Sequence, residues 1–367
     1  MKLDDLSKDD LSKDDLNKNA TKTPDSDDSR SNDLKEDPLL SICITTRNRP
    51  QELIKCLNSI SKLRGINFEV VVSDDASDKP VFSQIIDAVA PSVIAKARLI
   101  RFEENIGLIA ARNELAKLAR SPYILSLDDD AILYKPDVIY KAIKILERDS
   151  AIGAIALTQS GEDGTLLPKG KQPAPVDYPC IACSYIGFGH IIRRDLFLSL
   201  GGYRSIFWYG YEEAEYAKRM LDRGFNVLFL PDVGIIHYHS PIGRSQLKHM
   251  RNGCRNKCLA AIYNEPFLMA AASIPSRLVH YFVSRGKVCK EHNISDEGGM
   301  RWLVQEISQN FLAVWRERKA LKWTTYFRWR QIHKDYPLYE LSPQNTSKNV
   351  SDSVPESIST GVSTKVS

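Results

Sequence analysis

Short apolar segments alternate with longer segments of helical spacing between residues 39 and 148. Strands that alternate with helices of roughly 10–15 residues are typical of parallel sheets covered by helices on both faces. We therefore predict an α/β fold with a mostly parallel central sheet flanked by helices. The predicted strands are Leu39–Thr45, Phe68–Ser73, Arg98–Phe102 and Tyr123–Leu127, and the predicted helices are Pro50–Leu63, Val81–Val89, Gly107–Ala119 and one that begins near Pro136.

The second half of the chain predicts a different arrangement. A Gly- and Pro-rich segment at 159–179 predicts a long loop. Apolar and helical patterns then predict strand Ile181–Arg193, helix Glu212–Arg223, strand Phe225–Leu230 and helices from Gln246 to Lys334.

The ends of the chain differ in composition from its middle. Residues 1–37 contain a five-residue Leu-Ser-Lys-Asp-Asp repeat, whose period matches neither a helix nor a strand, and we expect a disordered acidic arm. Residues 342–367, rich in Ser, Thr, Val and Asn, predict a disordered tail. Between them we expect an α/β domain at 38–245 and a helical extension at 246–341.

Charge and hydropathy exclude some classes of protein. No apolar run reaches the roughly 18 residues that span a bilayer, and the N-terminus is too acidic for a signal peptide. Seven scattered cysteines favour a reducing compartment, so the expected location is the cytoplasm, with the inner face of the membrane left open. Residues 38–341 hold 41 basic and 32 acidic side chains, a balance that suits phosphate-bearing ligands or an anionic membrane.

Polar side chains follow several predicted strands. Asp128, Asp129 and Asp130 come directly after the apolar strand Tyr123–Leu127, and Asp74-Asp75 follows the strand Phe68–Ser73. The carboxyl ends of parallel strands are where α/β sheets bind ligands. Adjacent carboxylates repel unless a cation or several donors hold them, so the triplet predicts a divalent metal site, whereas a solvated acidic turn is the alternative.

Six motifs follow one another along the chain: Ile42–Pro50, Val71–Ser77, Asn105–Gly107 with Ala111–Asn113, Leu127–Asp130, Gly210–Glu215, and Pro231-Asp232 with His237. In this order they resemble family 2 glycosyltransferases of the GT-A fold, particularly the rhamnosyltransferase-like branch. The resemblance covers about residues 38–260 and implies a Rossmann-like sheet that binds a nucleotide-diphospho-sugar. It also implies that the domain at 38–245 is the glycosyltransferase domain, with a nucleotide-binding half at about 38–130 and an acceptor half at about 131–245.

The resemblance implies a role for each motif. Asp130 would ligate Mn²⁺ or Mg²⁺, with Asp128 and His237 as further ligands. Glu213 would be the general base, with Glu212 left open as the alternative because many relatives carry Asp at this position. The implied acceptor-binding residues are Trp208 and Glu215. The implied nucleotide-binding residues are Thr45, Arg47, Asp75, Arg112, Asp128 and Asp129.

The expected function is inverting transfer of a sugar from a UDP-, dTDP- or GDP-sugar to a saccharide or lipid-linked acceptor, in cell-surface polysaccharide synthesis. Residues 277–334 carry 12 Lys or Arg and four tryptophans, which suits peripheral membrane contact, while packing of a helical cap is the alternative. No nucleic-acid recognition motif accompanies this charge. A sugar nucleotidyltransferase and a non-catalytic nucleotide-sugar-binding module remain alternative functions.

Overall fold

A nine-stranded sheet runs through the residues that the computed structural model describes, 37–240 and 245–340. The predictions for the acidic arm and the C-terminal tail fall on residues outside these ranges, apart from Asp37. Neighbouring strands follow the order β3-β2-β1-β4-β8-β6-β9-β5, and β7 also pairs with β9. The strands are β1 (Leu40–Thr46), β2 (Phe68–Asp74), β3 (Ala97–Arg101), β4 (Tyr123–Asp128), β5 (Ala131–Leu133), β6 (Ile152–Ser160), β7 (Cys180–Ala182), β8 (Gly189–Arg193) and β9 (Asn226–His237).

The first four strands are parallel, as the sequence predicts. Strand β1 lies between β2 and β4, with Thr46 opposite Asp74 and Thr45 opposite Asp128. The carboxyl ends of these strands are therefore flush at one edge of the sheet. This register brings the polar residues that follow each strand to a common place.

The second half of the sheet is mixed, so the prediction of a mostly parallel sheet is right only as far as β4. Strand β8 is antiparallel to both β4 and β6, whereas β6 and β9 are parallel. The single strand predicted at Ile181–Arg193 is wrong, because residues 183–188 leave the sheet between β7 and β8. Gly187, in this interruption, lies close to the charged side chains of Arg112 and Glu213.

Strand β9 continues well beyond the predicted end at Leu230. Its pairing with β6 changes register between Leu230 and Val233, where Pro231 has no N–H to donate to a ladder. Beyond this irregularity the strand reaches His237, which pairs with Ala131 of β5. The extension therefore brings His237 beside the aspartate triplet.

Helices cover both faces of the sheet, and their apolar sides form its core. The helix predicted at Val81–Val89 is only four residues long, and a separate short helix begins at Pro91. The helices are α1 (Pro50–Ile60), α2 (Phe82–Ile85), α3 (Pro91–Ile94), α4 (Leu108–Leu118), α5 (Asp137–Arg148), α6 (Arg194–Ser199), α7 (Glu212–Asp222), α8 (Gln246–Asn264), α9 (Phe267–Glu291), α10 (Gly299–Arg316) and α11 (Trp323–Asp335).

Four helices follow the sheet, in agreement with the helical pattern of the sequence. Helix α8 packs against α9 and α10 around the buried side chains of Cys258, Tyr281 and Leu303. Its C-terminal half carries Leu259 and Ile262, which join the core beneath the second half of the sheet. The described residues from Asp37 onward form one compact unit, and the domain boundaries predicted within it stay predictions. Among the described helices, none combines the length and apolarity needed to cross a bilayer.

Candidate active site

Asp128, Asp130 and His237 converge at the carboxyl edge of β4. One potential ligand atom from each residue lies within 4.8 Å of the other two. The Nε2 atom of His237 is 3.1 Å from Asp130 Oδ1 and 4.0 Å from Asp128 Oδ2. The sequence predicts these three residues as metal ligands, and the fold brings them together from β4, the turn after it and β9.

The orientation of the His237 ring is fixed by Gln159. His237 Nδ1 lies 2.7 Å from Gln159 Oε1, and Gln159 Nε2 donates to the carbonyl of Lys171. Because the amide oxygen can only accept, Nδ1 donates to it, and Nε2 faces the two aspartates. Phe188 stacks on the ring at 5.2 Å. Metal-binding histidines are commonly held in this way by a hydrogen bond to the other ring nitrogen.

The donor set fits a small divalent cation. Nε2 of His237 is buried and has no hydrogen-bond partner among the described residues. Two carboxylates and one imidazole suit Mn²⁺ or Mg²⁺, whose other positions would be taken by ligand oxygens. Asp128 remains partly exposed, whereas Asp130 is buried and accepts the backbone N–H of Ser240 at 2.8 Å. The cluster therefore has one open side, at Asp128; we call the surface between Asp128, Glu213 and Trp208, which all keep exposed atoms, the cleft.

Asp129 points into the protein rather than toward the cleft. It accepts hydrogen bonds from Thr46 Oγ1 at 2.8 Å and from Arg49 Nη1 at 3.0 Å. Burial raises the pKa of Asp129 to about 7, although Arg49 and Thr46 oppose the shift. The expectation that Asp129 contacts the nucleotide is corrected here, because its carboxylate ties β1 and α1 to β4.

Arg112 lies at the centre of the site and is buried. Its Nη2 atom is 2.6 Å from Asp128 Oδ1, and its Nη1 atom is 3.3 Å from Glu212 Oε1 and 3.9 Å from Glu213 Oε1. Nη2 also donates to the carbonyl of Gly187 at 3.0 Å. Arg112 is therefore a bridge between the metal cluster and the glutamates, and the phosphate contact expected for it stays a prediction.

The two glutamates that begin α7 differ in their access to the cleft. Glu212 is fully buried, and its Oε2 atom has no hydrogen-bond partner within the described part of the chain. Glu213 keeps part of its side chain exposed. Burial and the charge of Glu212 raise the pKa of Glu213 to about 8, while Arg112 opposes the shift. A partly exposed carboxylate with a pKa near neutrality is suited to accept a proton.

A turn of unusual conformation precedes these glutamates. Trp208, Gly210 and Tyr211 all have positive φ angles, and Tyr209 N donates to Phe207 O at 2.6 Å across Trp208. We call residues 206–211 the acceptor turn. The exposed indole of Trp208 lies over Gly107, where an added Cβ would be 3.2 Å from the ring. Trp208 thus reaches from the turn before α7 to Gly107, the N-cap of α4.

Asp75 binds the backbone segment on which the Trp208 ring lies. Its two carboxylate oxygens accept the backbone N–H groups of Ile106 at 2.8 Å and Gly107 at 3.1 Å. Thr45 is half-buried and Arg47 is exposed, and both lie at the end of β1. Thr45, Arg47 and Asp75 therefore flank one side of the cleft, and their nucleotide contacts stay predictions.

Glu215 lacks the accessible side chain that an acceptor-binding residue needs, so its expected role is corrected. Its side chain is fully buried, 2.9 Å from Arg204 Nε and 2.7 Å from Arg219 Nη2, and it also accepts from Asn264 at 2.9 Å. The side chain lies one helical turn beyond Glu212 and faces α8. Glu215 is thus a structural residue that neutralises two arginines.

Several residues of the site escape prediction from the sequence. Gln159 was predicted only as the start of a loop, and Gly187 as part of a continuous strand. An alanine Cβ at Gly187 would lie 2.6 Å from Glu213 Oε1 and 2.7 Å from Arg112 Nη1, so only glycine fits there without movement. Neither residue belongs to a local motif, and only the predicted edge of the sheet could have drawn attention to Gln159.

The sequence model of the family described as glycosyl transferase family 2 matches residues 41–203. Residues 41–203 therefore belong to glycosyltransferase family 2. An uncharacterized glycosyltransferase of Haemophilus influenzae is 28% identical over 171 residues, which cover 45% of this chain and 56% of that protein. Chondroitin synthase of Escherichia coli is 28% identical over 139 residues, which cover 37% of this chain and 20% of that protein.

A solved structure supports the same fold. The mannosyltransferase PcManGT from Pyrobaculum calidifontis, solved with GDP-Man and Mn²⁺, has a TM-score of 0.52 and 15% identity, over 82% of this chain and 88% of that one. The fold is GT-A, as the sequence predicts. The rhamnosyltransferase-like branch stays a prediction.

Proposed function

We propose that this chain transfers a sugar from a nucleotide-diphospho-sugar to a hydroxyl group of an acceptor, with inversion at the anomeric carbon. The observation that carries the proposal is the link through Arg112 between a metal-binding cluster and a carboxylate suited to act as a base. Asp128 and Glu213 contact the same guanidinium, at 2.6 Å and 3.9 Å. Binding of a nucleotide alone does not require the base.

Asp128, Asp130 and His237 would hold Mn²⁺ or Mg²⁺, which when bound neutralises charge on the leaving diphosphate. Glu213 accepts the proton of the acceptor hydroxyl while that oxygen bonds to the anomeric carbon. The bond from this carbon to the diphosphate oxygen breaks, and the nucleoside diphosphate leaves with the electron pair. Arg112 holds Asp128 and Glu213 at a fixed separation, and Glu212 adds a second negative charge beside Arg112.

The donor is proposed to be a UDP-, dTDP- or GDP-sugar, with its base beside Thr45, Arg47 and Asp75. The acceptor is proposed to be a saccharide or a lipid-linked saccharide of cell-surface polysaccharide synthesis. Trp208 offers an exposed aromatic ring at the mouth of the cleft, and such rings commonly pack against the apolar faces of ligands.

Release of nucleoside diphosphate from a panel of sugar nucleotides, with and without Mn²⁺, tests the proposal. We expect turnover of one donor that depends on the metal and that falls at least about 10²-fold in Glu213→Gln. Asp130→Ala should abolish the response to Mn²⁺. The control is Asp195→Ala, because Asp195 is an exposed aspartate on α6. Turnover of no donor, or equal turnover in Asp130→Ala and wild type, contradicts the proposal.

Two further assays separate the alternative functions. A sugar nucleotidyltransferase would release pyrophosphate from a nucleoside triphosphate and a sugar phosphate. A non-catalytic binding module would show tight nucleotide binding in calorimetry with no turnover. The proximity of Glu213 and Arg112 to the metal cluster favours the transferase over both.

We also propose that the C-terminal helices contact an anionic membrane. Five side chains form an apolar patch in which each is at least 41% exposed: Phe267, Leu268, Phe311, Leu312 and Trp315. Ring centroids of Phe267 and Phe311 lie 6.2 Å and 5.6 Å from that of Trp315. Exposed Arg316 and Lys319 follow the patch along the chain and complement anionic headgroups.

Flotation with vesicles of phosphatidylglycerol, compared with vesicles of phosphatidylcholine, tests this contact. We expect the protein to float with the anionic vesicles only, and Leu268→Ser with Leu312→Ser to remove the binding. No flotation, or self-association through the same patch, contradicts it.

A further inference from the structure

Two neighbouring side chains of α8, Arg255 and Asn256, bind the backbone of the acceptor turn. Asn256 is fully buried, and its Nδ2 atom lies 2.9 Å from Phe207 O, 3.0 Å from Tyr209 O and 2.7 Å from Gly210 O. Arg255 Nη1 donates to Ile206 O at 2.8 Å. Four of the six carbonyl oxygens of the turn therefore accept hydrogen bonds from two adjacent residues of another element.

Arg255 is itself held in place. Its Nε atom is 2.8 Å from Glu306 Oε2 of α10, and its Nη1 atom also donates to Asn256 Oδ1 at 2.9 Å. The bond to Oδ1 fixes the orientation of the Asn256 amide, so that the NH₂ group faces the turn. The contact is a chain of charged and neutral hydrogen bonds that begins on α10 and ends on the turn.

The turn needs an external support of this kind. The backbone of Trp208, at φ 59° and ψ −48°, with the bond from Tyr209 N to Phe207 O, forms a γ-turn of the rare and strained type. Tyr211 adds a second non-glycine residue in the left-handed region. Such conformations cost about 1–3 kcal/mol each and persist only where surrounding contacts determine them.

The acceptor turn positions two parts of the candidate active site. The turn carries Trp208, which lies against Gly107, and it is followed directly by Glu212 and Glu213. Asn256 is completely buried and its donors are used by the turn, so it acts on the site only through the turn.

We infer that Arg255 and Asn256 are positioning residues: they hold the acceptor turn in its strained conformation and thereby place Trp208 and Glu213. The inference rests on the proposed function for its catalytic consequence, whereas the mechanical part stands independently. It makes the C-terminal helices a component of the active site rather than an appendage.

Asn256→Ala and Asn256→Asp test the inference. Alanine removes the donors, and aspartate keeps the shape but turns an acceptor toward three carbonyl oxygens. We expect kcat for nucleoside diphosphate release to fall about 10²-fold in both, as a displacement of about 1 Å can produce. The affinity for UDP, GDP or dTDP with Mn²⁺, measured by calorimetry, should change less than about threefold, because Asp75 and the metal cluster lie on other elements.

Asn264→Ala is the matched control. Asn264 lies on the same helix and is equally buried, but its amide donates to Glu215 rather than to the turn. We expect this variant to lose stability to a similar degree and to keep kcat within about threefold of wild type. An equal loss of kcat in Asn264→Ala and Asn256→Ala would mean that general destabilisation, not positioning, explains the effect.

Hydrogen exchange of the 205–212 peptide gives a readout that does not depend on turnover. We expect exchange in Asn256→Ala to be at least about tenfold faster in this peptide and unchanged in α4. Unchanged exchange in the turn overturns the inference, whatever the activity. If exchange rises but wild type turns over no sugar nucleotide, Arg255 and Asn256 still hold the turn and the proposed function fails.

Discussion

Gly187→Ala probes the crowded contact between Arg112 and Glu213. The φ angle of Gly187 is not positive, so alanine meets no backbone strain there. Its Cβ, however, would lie 2.6 Å from Glu213 Oε1, 2.7 Å from Arg112 Nη1 and 2.9 Å from Nη2. Ordinary van der Waals contact begins near 3.4 Å, so the carboxylate of Glu213 must retreat by roughly 0.8 Å.

A retreat of this size is large for a catalytic group and small for the fold. Misplacement by about 1 Å can cost about 10²-fold in rate, and we expect that loss in kcat. The overpacking itself should cost about 1–3 kcal/mol of the free energy of unfolding, and the lower figure applies if the glutamate side chain moves freely. Nucleotide affinity should stay within about threefold, since Gly187 does not flank the predicted base pocket.

The assay is nucleoside diphosphate release at saturating donor, with thermal denaturation of each variant. Gly170→Ala is the matched control, because Gly170 also lies between β6 and β8 and an added Cβ there meets no atom within 4 Å. A kcat of Gly187→Ala within about twofold of wild type would refute the assignment of Glu213 and Arg112 to the reacting centre.

Three further predictions follow from the site. The rate of wild type should rise with pH up to about 8, because burial raises the pKa of Glu213 to about 8 and only its ionised form accepts a proton; Glu213→Gln should lose this dependence. Gln159→Leu should weaken Mn²⁺ binding by about 10–100-fold in calorimetry, by releasing the ring of His237, and unchanged affinity contradicts this. Burial alone would raise the pKa of Glu215, but Arg219 and Arg204 outweigh it and hold this pKa below 4.5. The ionised carboxylate therefore stabilises the fold fully above pH 4.5, and this stabilisation is lost as the pH falls through the lowered pKa. Glu215→Gln should lower the free energy of unfolding by about 3–5 kcal/mol at pH 7 and flatten its acid dependence in urea titrations.

The parts of the site that the sequence predicts follow from local patterns. The triplet Asp128–Asp130 is recognisable because an apolar strand leads into it, and parallel strands bring such ends to one edge. The placement of Glu213 at the first turn of α7 is likewise visible from the helical pattern after Gly210.

The parts that it does not predict depend on contacts between distant segments. Asp129 differs from its neighbours only in direction, since the alternation of side chains along the strand end turns it toward Thr46 and Arg49. Glu215 reads as one more acid in a helical first turn, and only the arginines at 204 and 219 show that it is buried. The role of Asn256 requires the position of α8 against the acceptor turn, which no local pattern encodes.

Anomalous diffraction from crystals grown with Mn²⁺ and an unhydrolysed sugar nucleotide tests the central claim most directly. We expect one manganese peak between Asp128, Asp130 and His237, with the diphosphate on the metal and the anomeric carbon facing Glu213. A peak elsewhere, or a sugar whose anomeric carbon faces away from Glu213, would contradict it.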